Sequence, residues 1–218
     1  MNIWTFWLDA LRSLVDVLAT DAGLGLGLAI IAATLLLRLV LLPISWSAAY
    51  RGCIRQKKML KLQPELQQLK EKYAKEPNLY MREMLELYRK NELSFIDGKN
   101  LLGALAQMPL LLGMFHALRS IGDGARFLWI PNLLKPDVLL ALIAGVVTGL
   151  MLSVNPDLPG QMRLVMIIVP SVIAIFAALK VCSALSLYWV ASNCFSAAQA
   201  AVLHFVVGRR LRKGTLAI

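Results

Sequence analysis

A long stretch of this chain carries almost no charge, and it limits the folds that the chain can adopt. Residues 164–207 contain a single Lys or Arg, Lys180, and no Asp or Glu. A helix that crosses the hydrocarbon core of a bilayer, about 30 Å thick, needs about 20 apolar residues. The stretch is therefore too long for one membrane-spanning helix and about right for two, with a turn near residues 180–183.

Three further apolar runs, at residues 22–46, 101–121 and 138–154, are each long enough for one span or close to it. The whole chain of 218 residues is 58% hydrophobic and 17% charged, whereas soluble domains carry about 25% charged residues. This composition excludes disorder and disfavours a soluble domain. We predict an all-α integral membrane protein with five transmembrane helices.

The charged residues are concentrated between residues 50 and 100. Apolar side chains recur there at helical spacing until Pro77 and Asn78 interrupt the pattern, and a second amphipathic stretch follows. This pattern predicts a helical hairpin. The apolar positions of its first helix are Met59, Leu62, Leu66, Leu69 and Tyr73.

The first 18 residues predict an amphipathic helix. Trp4, Trp7, Leu11 and Val15 lie near helical spacing, with charged residues between them. The segment is too polar to span and has no signal-peptide pattern. An interfacial helix with Trp at headgroup depth fits this pattern. A surface helix packed on other parts of the protein is the alternative.

The distribution of basic residues predicts the orientation. Of the 23 Lys and Arg residues, 17 fall in three segments: the hairpin, the turn at 155–163 and the tail. In a topology with five spans, these three segments lie on the same side of the membrane. Cytoplasmic segments carry the Lys and Arg excess, so we expect the N terminus outside and the C terminus in the cytoplasm. The predicted parts are an external interfacial helix at 1–20, a first span at 21–48, a cytoplasmic hairpin at 49–99, four further spans at 100–207 and a short basic tail at 208–218.

The formal net charge of +10 does not by itself indicate nucleic-acid binding. The basic residues of the hairpin are interleaved with Glu and Asp, which leaves a modest excess of positive charge. A solvated hairpin face and contacts with anionic lipids account for it. We therefore expect anionic lipids as partners and no recognition of a specific nucleic-acid sequence.

Arg38 is the most informative single residue, because it lies within the first apolar run. An arginine that faces lipid near the bilayer centre costs about 2.5–3.5 kcal/mol on insertion scales. It should face the bundle interior or a polar cavity, or else extend to the cytoplasmic headgroups. The other polar groups in the spans are mostly uncharged, and Ser186, Asn193 and Ser196 share one helix face. One cation among neutral hydrogen-bonding groups suits a hydrated groove for polar peptide better than a proton relay.

Enzyme chemistry has little support in the sequence. It contains no P-loop, no zinc-type His and Glu spacing and no pair of aspartates within the spans. His116 and His204 lie in different predicted spans, and Cys53 and Cys182 lie on opposite sides of the membrane. We therefore predict no catalytic residue, no metal site, no cofactor and no structural disulfide.

Several segments, taken together and in order, resemble the YidC membrane protein insertase family, which has mitochondrial and thylakoid relatives. The similarity covers about residues 22–207. The matching segments are TLLLRLVLLP around Arg38, LQPELQQLKEKY in the hairpin, GALAQMPLLLGMF around Gln107, FLWIPNL around Trp129, GVVTG around Thr148 and LSLYWVASN around Trp189.

The resemblance implies five core spans around a hydrophilic groove that is open to the cytoplasm and to lipid and closed on the outside. It maps the groove arginine onto Arg38 and its partners onto Gln107, Thr148 and Trp189. The polar face of the last predicted span adds Ser186 and Asn193 to the candidate groove residues. It also implies that the hairpin recruits substrate and helps to contact the ribosome or the Sec translocon. The candidate recruitment residues are Arg55, Lys57, Lys58, Lys61, Lys72 and Arg82.

The function implied is an insertase and chaperone for nascent membrane proteins in the bacterial inner membrane, without hydrolytic chemistry. Two departures from the family pattern are Met151, where relatives often have glutamine, and Cys182-Ser183-Ala184 before the last span. They leave open a specialised assembly factor for one membrane partner. A small-solute transporter with Arg38 as its anion site is a further alternative, although the sequence shows no inverted repeat.

Overall fold

The computed structural model describes residues 2–91, 112–116, 125–154 and 160–212. Within these residues the chain is helical and contains no strand. The all-helical fold class is thus as predicted. The helices are α1 (Ile3–Asp16), which continues into a π-helical turn (Val17–Asp21), α2 (Gly25–Val40), α3 (Leu42–Lys72), α4 (Pro77–Lys90), α5 (Val138–Ser153), α6 (Gly160–Ala178) and α7 (Ser183–Arg212).

The chain divides into two compact units. The first comprises Met1–Pro43 and Ala106–Val202, and the second comprises Ile44–Leu105 and Leu203–Ile218.

The core of the first unit is formed by α1, α2, α7 and the segment that precedes α5. Leu11 and Val15 of α1 are fully buried, as are Ile30 of α2 and Ile130 of the connecting segment. They pack in one cluster with Tyr188 of α7. One face of α1 is therefore packed on protein, while Trp4 and Phe6 on the same helix are exposed. An interfacial position for this helix stays a prediction.

Helices α5 and α6 pack closely because two glycines of α5 lie in their contact. A Cβ atom at Gly145 would lie 2.3 Å from Ile175 Cγ1, and one at Gly149 would lie 2.8 Å from Ser171 Oγ. Small residues four apart allow two helix backbones to approach, which is a common form of packing between membrane helices. This pair of glycines fixes where α6 crosses α5.

The segment at residues 125–137 is tied to the first turn of α7. The backbone N–H and the hydroxyl of Ser183 both donate to the Lys135 carbonyl, at 3.0 and 2.6 Å, and the Ala184 N–H donates to the Leu133 carbonyl at 2.9 Å. These bonds satisfy N–H groups that would otherwise be unpaired at the start of a helix. Ser183, in the tripeptide that departs from the family pattern, thus helps to hold the start of the last helix in place.

The second unit contains most of α3, all of α4 and the end of α7. Cys53, Leu203 and Val207 are buried together, with Trp46 and Tyr50 packed against them. Pro77 lies at the start of α4, where its missing N–H costs no helical hydrogen bond. The two helices on either side of this proline are those that the hairpin pattern predicts.

The helix breaks within residues 21–48, which we predict as the first span. α2 ends at Val40, and α3 begins at Leu42 and continues into the charged segment. Pro43 has no N–H to donate to the Leu39 carbonyl, so an uninterrupted helix would lose a hydrogen bond at this point. Pro43, near the end of the apolar run, therefore accounts for the end of α2.

The outer faces of the helices are rich in exposed apolar side chains. Val146 of α5 is 61% exposed, and Phe176 of α6 is 64% exposed. Exposed apolar side chains in this number need lipid or a protein partner to cover them. The exposed apolar residues of α5 and α6 include Val138, Leu139, Leu142, Val146, Leu150, Leu164, Val165, Ile168, Val169, Val172, Ile173 and Phe176.

One helix among the described residues, α7 over Ser183–Arg210, is long and apolar enough to cross a membrane on its own. α2 and α3 meet the same criterion together, as a pair that bends at Leu41. α5 and residues Arg163–Ala178 of α6 are shorter apolar helices. That the chain has five spans therefore stays a prediction. Most of the apolar run at 101–121, the second predicted span, lies outside the described residues.

Candidate groove around Arg38

Arg38 lies on the inward face of α2. Thr34 and Ile30, one and two turns before it, are fully buried, whereas Leu35 and Leu39 are exposed. Residues four apart share one face of a helix, so the row 30, 34, 38 points toward the interior of the first unit. Arg38 itself is half-buried. Of the two positions expected from the sequence, the structure favours the bundle interior.

The guanidinium of Arg38 is held by α7. Its Nη2 donates a hydrogen bond to the hydroxyl of Ser192, which is 3% exposed. The Nε of Arg38 is buried and has no hydrogen-bond partner among the described residues. Since every N–H of a guanidinium is a donor, Arg38 retains hydrogen-bonding capacity for a further acceptor.

Tyr188 lies one turn before Ser192 on the same face of α7. Its ring is buried in the core of the first unit, and its hydroxyl is buried as well. A buried hydroxyl is stabilised when protein, water or a ligand pairs with it. Tyr188 therefore adds a second polar group to the part of the bundle that holds Arg38.

A second polar contact joins α5 to α7. The Nδ2 of Asn193 donates to Thr148 Oγ1 at 2.9 Å, and the Thr148 hydroxyl donates to the Ala144 carbonyl at 2.7 Å. Thr148 is buried and Asn193 is half-buried. Because Ser192 and Asn193 are consecutive, α7 bonds α2 through the first and α5 through the second.

The structure describes two of the three remaining predicted groove residues. Ser186 is buried and Trp189 is half-buried, and both lie on α7 within two turns of Asn193. Gln107 lies outside the described residues, so its place in the groove stays a prediction. Among the predicted residues, Thr148 and Asn193 are bonded to each other, and Arg38 is bonded to Ser192, the residue that precedes Asn193. A common groove formed by these residues stays a prediction.

Three residues of this site were absent from the predicted set. Ser192 contacts Arg38 directly, Tyr188 lies beside it, and Thr34 extends the buried row on α2. The spacing of four from Tyr188 to Ser192, and from Thr34 to Arg38, is visible in the sequence. The pairing of these two rows across helices is not, because it depends on how the helices pack.

The predicted recruitment residues are spread along the hairpin of the second unit. Arg55, Lys57 and Lys58 are half-buried on α3, whereas Lys61, Lys72 and Arg82 are exposed. Burial raises the pKa of the Tyr88 phenol on α4, the nearby Tyr80 raises it further, and the positive charge of Arg55 opposes these shifts. This electrostatic effect indicates that Tyr88 and Arg55 lie near each other. A role in recruitment stays a prediction.

Known proteins match this chain over most of its length. The sequence pattern of the family described as 60Kd inner membrane protein matches residues 17–208. The membrane protein insertase MisCA of Bacillus subtilis is 35% identical over 201 residues, which cover 87% of this chain and 74% of that protein.

Two further relatives have the same kind of name. The membrane protein insertase YidC 1 of Halalkalibacterium halodurans is 36% identical over 225 residues, which cover 95% of this chain and 80% of that protein. The membrane protein insertase YidC of Clostridium tetani is 29% identical over 193 residues, which cover 84% of this chain and 83% of that protein. The chain therefore belongs to the YidC family, which the 60Kd inner membrane protein pattern describes.

Proposed function

We propose that this chain is a membrane protein insertase, as its relatives are named. In this proposal a polar segment of a nascent membrane protein passes through a hydrated groove lined by Arg38, Ser192, Tyr188, Thr148 and Asn193. The apolar span of the same client then leaves sideways into lipid. The alternatives of a specialised assembly factor and of a transporter have no comparable support from the structure.

The observation that carries the proposal is that Arg38 forms no ion pair with an acidic side chain in the part of the chain that the structure describes. Arg38 is half-buried among the helices, and α2, α5, α6 and α7 contain no Asp or Glu. A charge held inside a protein is stabilised by an opposite charge or by several hydrogen bonds. The helices supply one bond to Nη2 and leave Nε unpaired among the described residues. Water and an acidic client segment are the natural sources of the remaining interactions.

The physical benefit to the client is a shorter path through hydrocarbon. A polar segment that crosses about 30 Å of lipid must lose most of its hydration, which is the main barrier to insertion. A groove that holds water and one fixed cation replaces part of that path. The insertion energy comes from the apolar span that enters lipid, so no nucleotide hydrolysis is needed.

The exterior of the bundle suits the release of that span. The exposed faces of α5 and α6 are apolar, so a client helix that leaves the groove meets surfaces compatible with lipid. On the predicted external side, the segment at 125–137 is bonded to the start of α7. We propose that it closes the groove toward the outside, in the five-span topology with an external N terminus.

We place the protein in the bacterial inner membrane, with the hairpin and the tail in the cytoplasm. Nascent membrane proteins are its proposed substrates. The basic hairpin would recruit them through residues such as Arg55, Lys61 and Arg82, and it would contact the ribosome or the Sec translocon. Positive charge on a cytoplasmic hairpin is compatible with both roles.

The test of the function is insertion into liposomes that contain the purified full chain. The substrate is a single-span protein with a short acidic segment that must cross the bilayer, and protease protection of that segment measures insertion. We expect protection well above that of protein-free vesicles of the same lipid composition. Equal protection with and without the chain would refute the proposal. Substrates that differ in their spans but not in their acidic segments distinguish a general insertase from a factor for one partner.

A further inference from the structure

We propose that the arginines where α3 and the end of α7 meet form a binding site for the phosphate headgroup of an anionic phospholipid. Arg51, Arg209 and Arg210, which we call the arginine cluster, lie in the second unit and are exposed. The cluster shares no residue with the groove around Arg38. It would therefore give the protein a lipid-binding site separate from the proposed path of the client.

Each arginine of the cluster is oriented by a neighbouring side chain. The guanidinium carbon of Arg210 lies 5.9 Å from the centre of the Tyr50 ring, and its Nη1 is 3.5 Å from the Tyr50 hydroxyl. The guanidinium carbon of Arg209 lies 5.7 Å from the centre of the Phe205 ring. The Nη1 of Arg51 donates to the Ser47 hydroxyl at 2.7 Å. Such contacts fix the direction of a guanidinium while its full charge is retained.

No acidic residue offsets the cluster within its own helix segments. Residues 44–61 and 203–212 contain eight Lys and Arg residues and no Asp or Glu. Further along the hairpin, from Glu65 onward, acids alternate with bases. The positive potential is therefore greatest where α3 begins and α7 ends, and a multivalent anion would be attracted there. The basic residues of the two segments are Arg51, Arg55, Lys57, Lys58, Lys61, Arg209, Arg210 and Arg212.

The cluster also lies where both helices change from apolar to basic. Trp46 and Tyr50 precede Arg51 on α3, and the buried Leu203 and Val207 precede Arg209 on α7. Trp, Tyr and Arg at the end of an apolar helix are typical of the level of the lipid headgroups. Phosphate is the anion present at that level, and the planar fork of arginine binds it with two parallel hydrogen bonds. Charge, position and donor geometry together favour an anionic phospholipid.

The experiment measures lipid binding by the full chain in detergent micelles. The protein is titrated with phosphatidylglycerol or with phosphatidylcholine, and native mass spectrometry counts the bound lipids. We expect preferential binding of phosphatidylglycerol. Replacing both arginines (Arg209→Gln with Arg210→Gln) should weaken that binding about thirtyfold, on the basis of about fivefold for each basic residue at an anionic surface. Binding of phosphatidylcholine should not change.

Two further variants separate a specific site from diffuse attraction. Lys70→Gln with Lys75→Gln removes the same charge from the end of α3 and the turn after it, and Lys70 lies about 28 Å from Arg51 along the helix axis. This pair should change phosphatidylglycerol binding by less than about threefold, since surface charges far from a site are screened. Tyr50→Leu with Phe205→Leu keeps the net charge and should weaken binding severalfold, since the rings orient the arginines. Arg209→Lys with Arg210→Lys retains the charge and should give an intermediate affinity, which keeps the test valid if the glutamine variant fails to fold.

The proposal would be overturned if the two double glutamine variants lost the same amount of affinity for phosphatidylglycerol. It would also be overturned if the unaltered chain bound phosphatidylglycerol and phosphatidylcholine equally well. Ribosomal RNA is the other polyanion that such a surface could bind. If the Arg209 and Arg210 variant lost affinity for a ribosomal RNA fragment while phosphatidylglycerol binding stayed unchanged, the surface would be an RNA site and the lipid proposal would be wrong.

Discussion

At the scale of single residues, the function depends on how Arg38 is held inside an apolar bundle. Its one hydrogen bond to a side chain among the described residues goes to Ser192, which orients the guanidinium and leaves its other donors available. An arginine free to turn would extend to the headgroups, where its charge is better solvated. Ser192 is therefore a positioning residue for Arg38.

This role predicts that Ser192→Ala slows insertion of an acidic client severalfold. Without this hydrogen bond the arginine would adopt other orientations, and it would present its charge to the client for only part of the time. The measurement is the initial rate of protease protection in liposomes. Ser196→Ala is the matched control, because the Ser196 hydroxyl donates to the Ser192 carbonyl of its own helix and not to Arg38. Equal rates for the two variants would contradict the role.

The residues of this site differ in how far the sequence could predict them. Arg38 was identifiable because a charge in an apolar run is costly anywhere in the fold. Ser192 was not, since serine is common in membrane helices and most such residues make local contacts. Its role depends on the register between α2 and α7, which the periodicity of a single helix does not encode.

At the scale of helices, two different contacts hold α5. Glycines bring it close to α6, and the bond between Thr148 and Asn193 joins it to α7. The first contact is steric and the second is polar, so they respond to different substitutions. Together they determine where the polar face of α7 meets its neighbours.

The glycine contact predicts that Gly145→Ala destabilises the protein by about 1–3 kcal/mol, the typical cost of overpacking a close contact. The new Cβ would lie 2.3 Å from Ile175 Cγ1 and 3.0 Å from the Ser171 carbonyl oxygen. Gly52→Ala is the control, because its Cβ would have no neighbour within 4 Å and alanine favours a helix. Thermal unfolding in detergent micelles should show a lower Tm for the first variant alone. A Tm unchanged by both would mean that α5 and α6 are not closely packed.

The polar contact predicts an energetic coupling between Thr148 and Asn193. Hydrogen bonds between membrane helices contribute about 0.6 kcal/mol on average and up to about 1.7 kcal/mol. A double-mutant cycle of Thr148→Val and Asn193→Ala should give a coupling in this range in the free energy of unfolding. Additive effects of the two substitutions would show that the residues are not bonded in the membrane.

The helices themselves were largely predictable, but their ends were less so. The hairpin, its break at Pro77 and the turn before the last helix follow from spacing and from proline. The apolar run continues through Pro43 to Trp46, whereas the helix already breaks at Leu41. Hydropathy indicates which residues can enter lipid, and it does not indicate where the backbone bends.

At the scale of the whole molecule, two compact units carry different properties. The first contains the polar site around Arg38 behind apolar outer faces, and the second contains the basic hairpin and the arginine cluster. Family membership agrees with the proposed insertase function, and the helical fold class follows from the composition. The number of spans and the orientation remain predictions that rest on apolar runs and on the placement of basic residues.

In the proposed function, Arg38 acts on the charge of the client. The most direct measurement compares Arg38→Ala with the unaltered chain, using an acidic client and a matched client whose Asp and Glu are replaced by Asn and Gln. Removing the cation should slow insertion of the acidic client about tenfold or more, since a charge pair in a partly buried groove contributes about 1.5–3 kcal/mol. The neutral client should be slowed by less than about threefold, and Arg38→Lys should recover part of the difference. Equal slowing of the two clients would show that Arg38 does not act on the charge of the client.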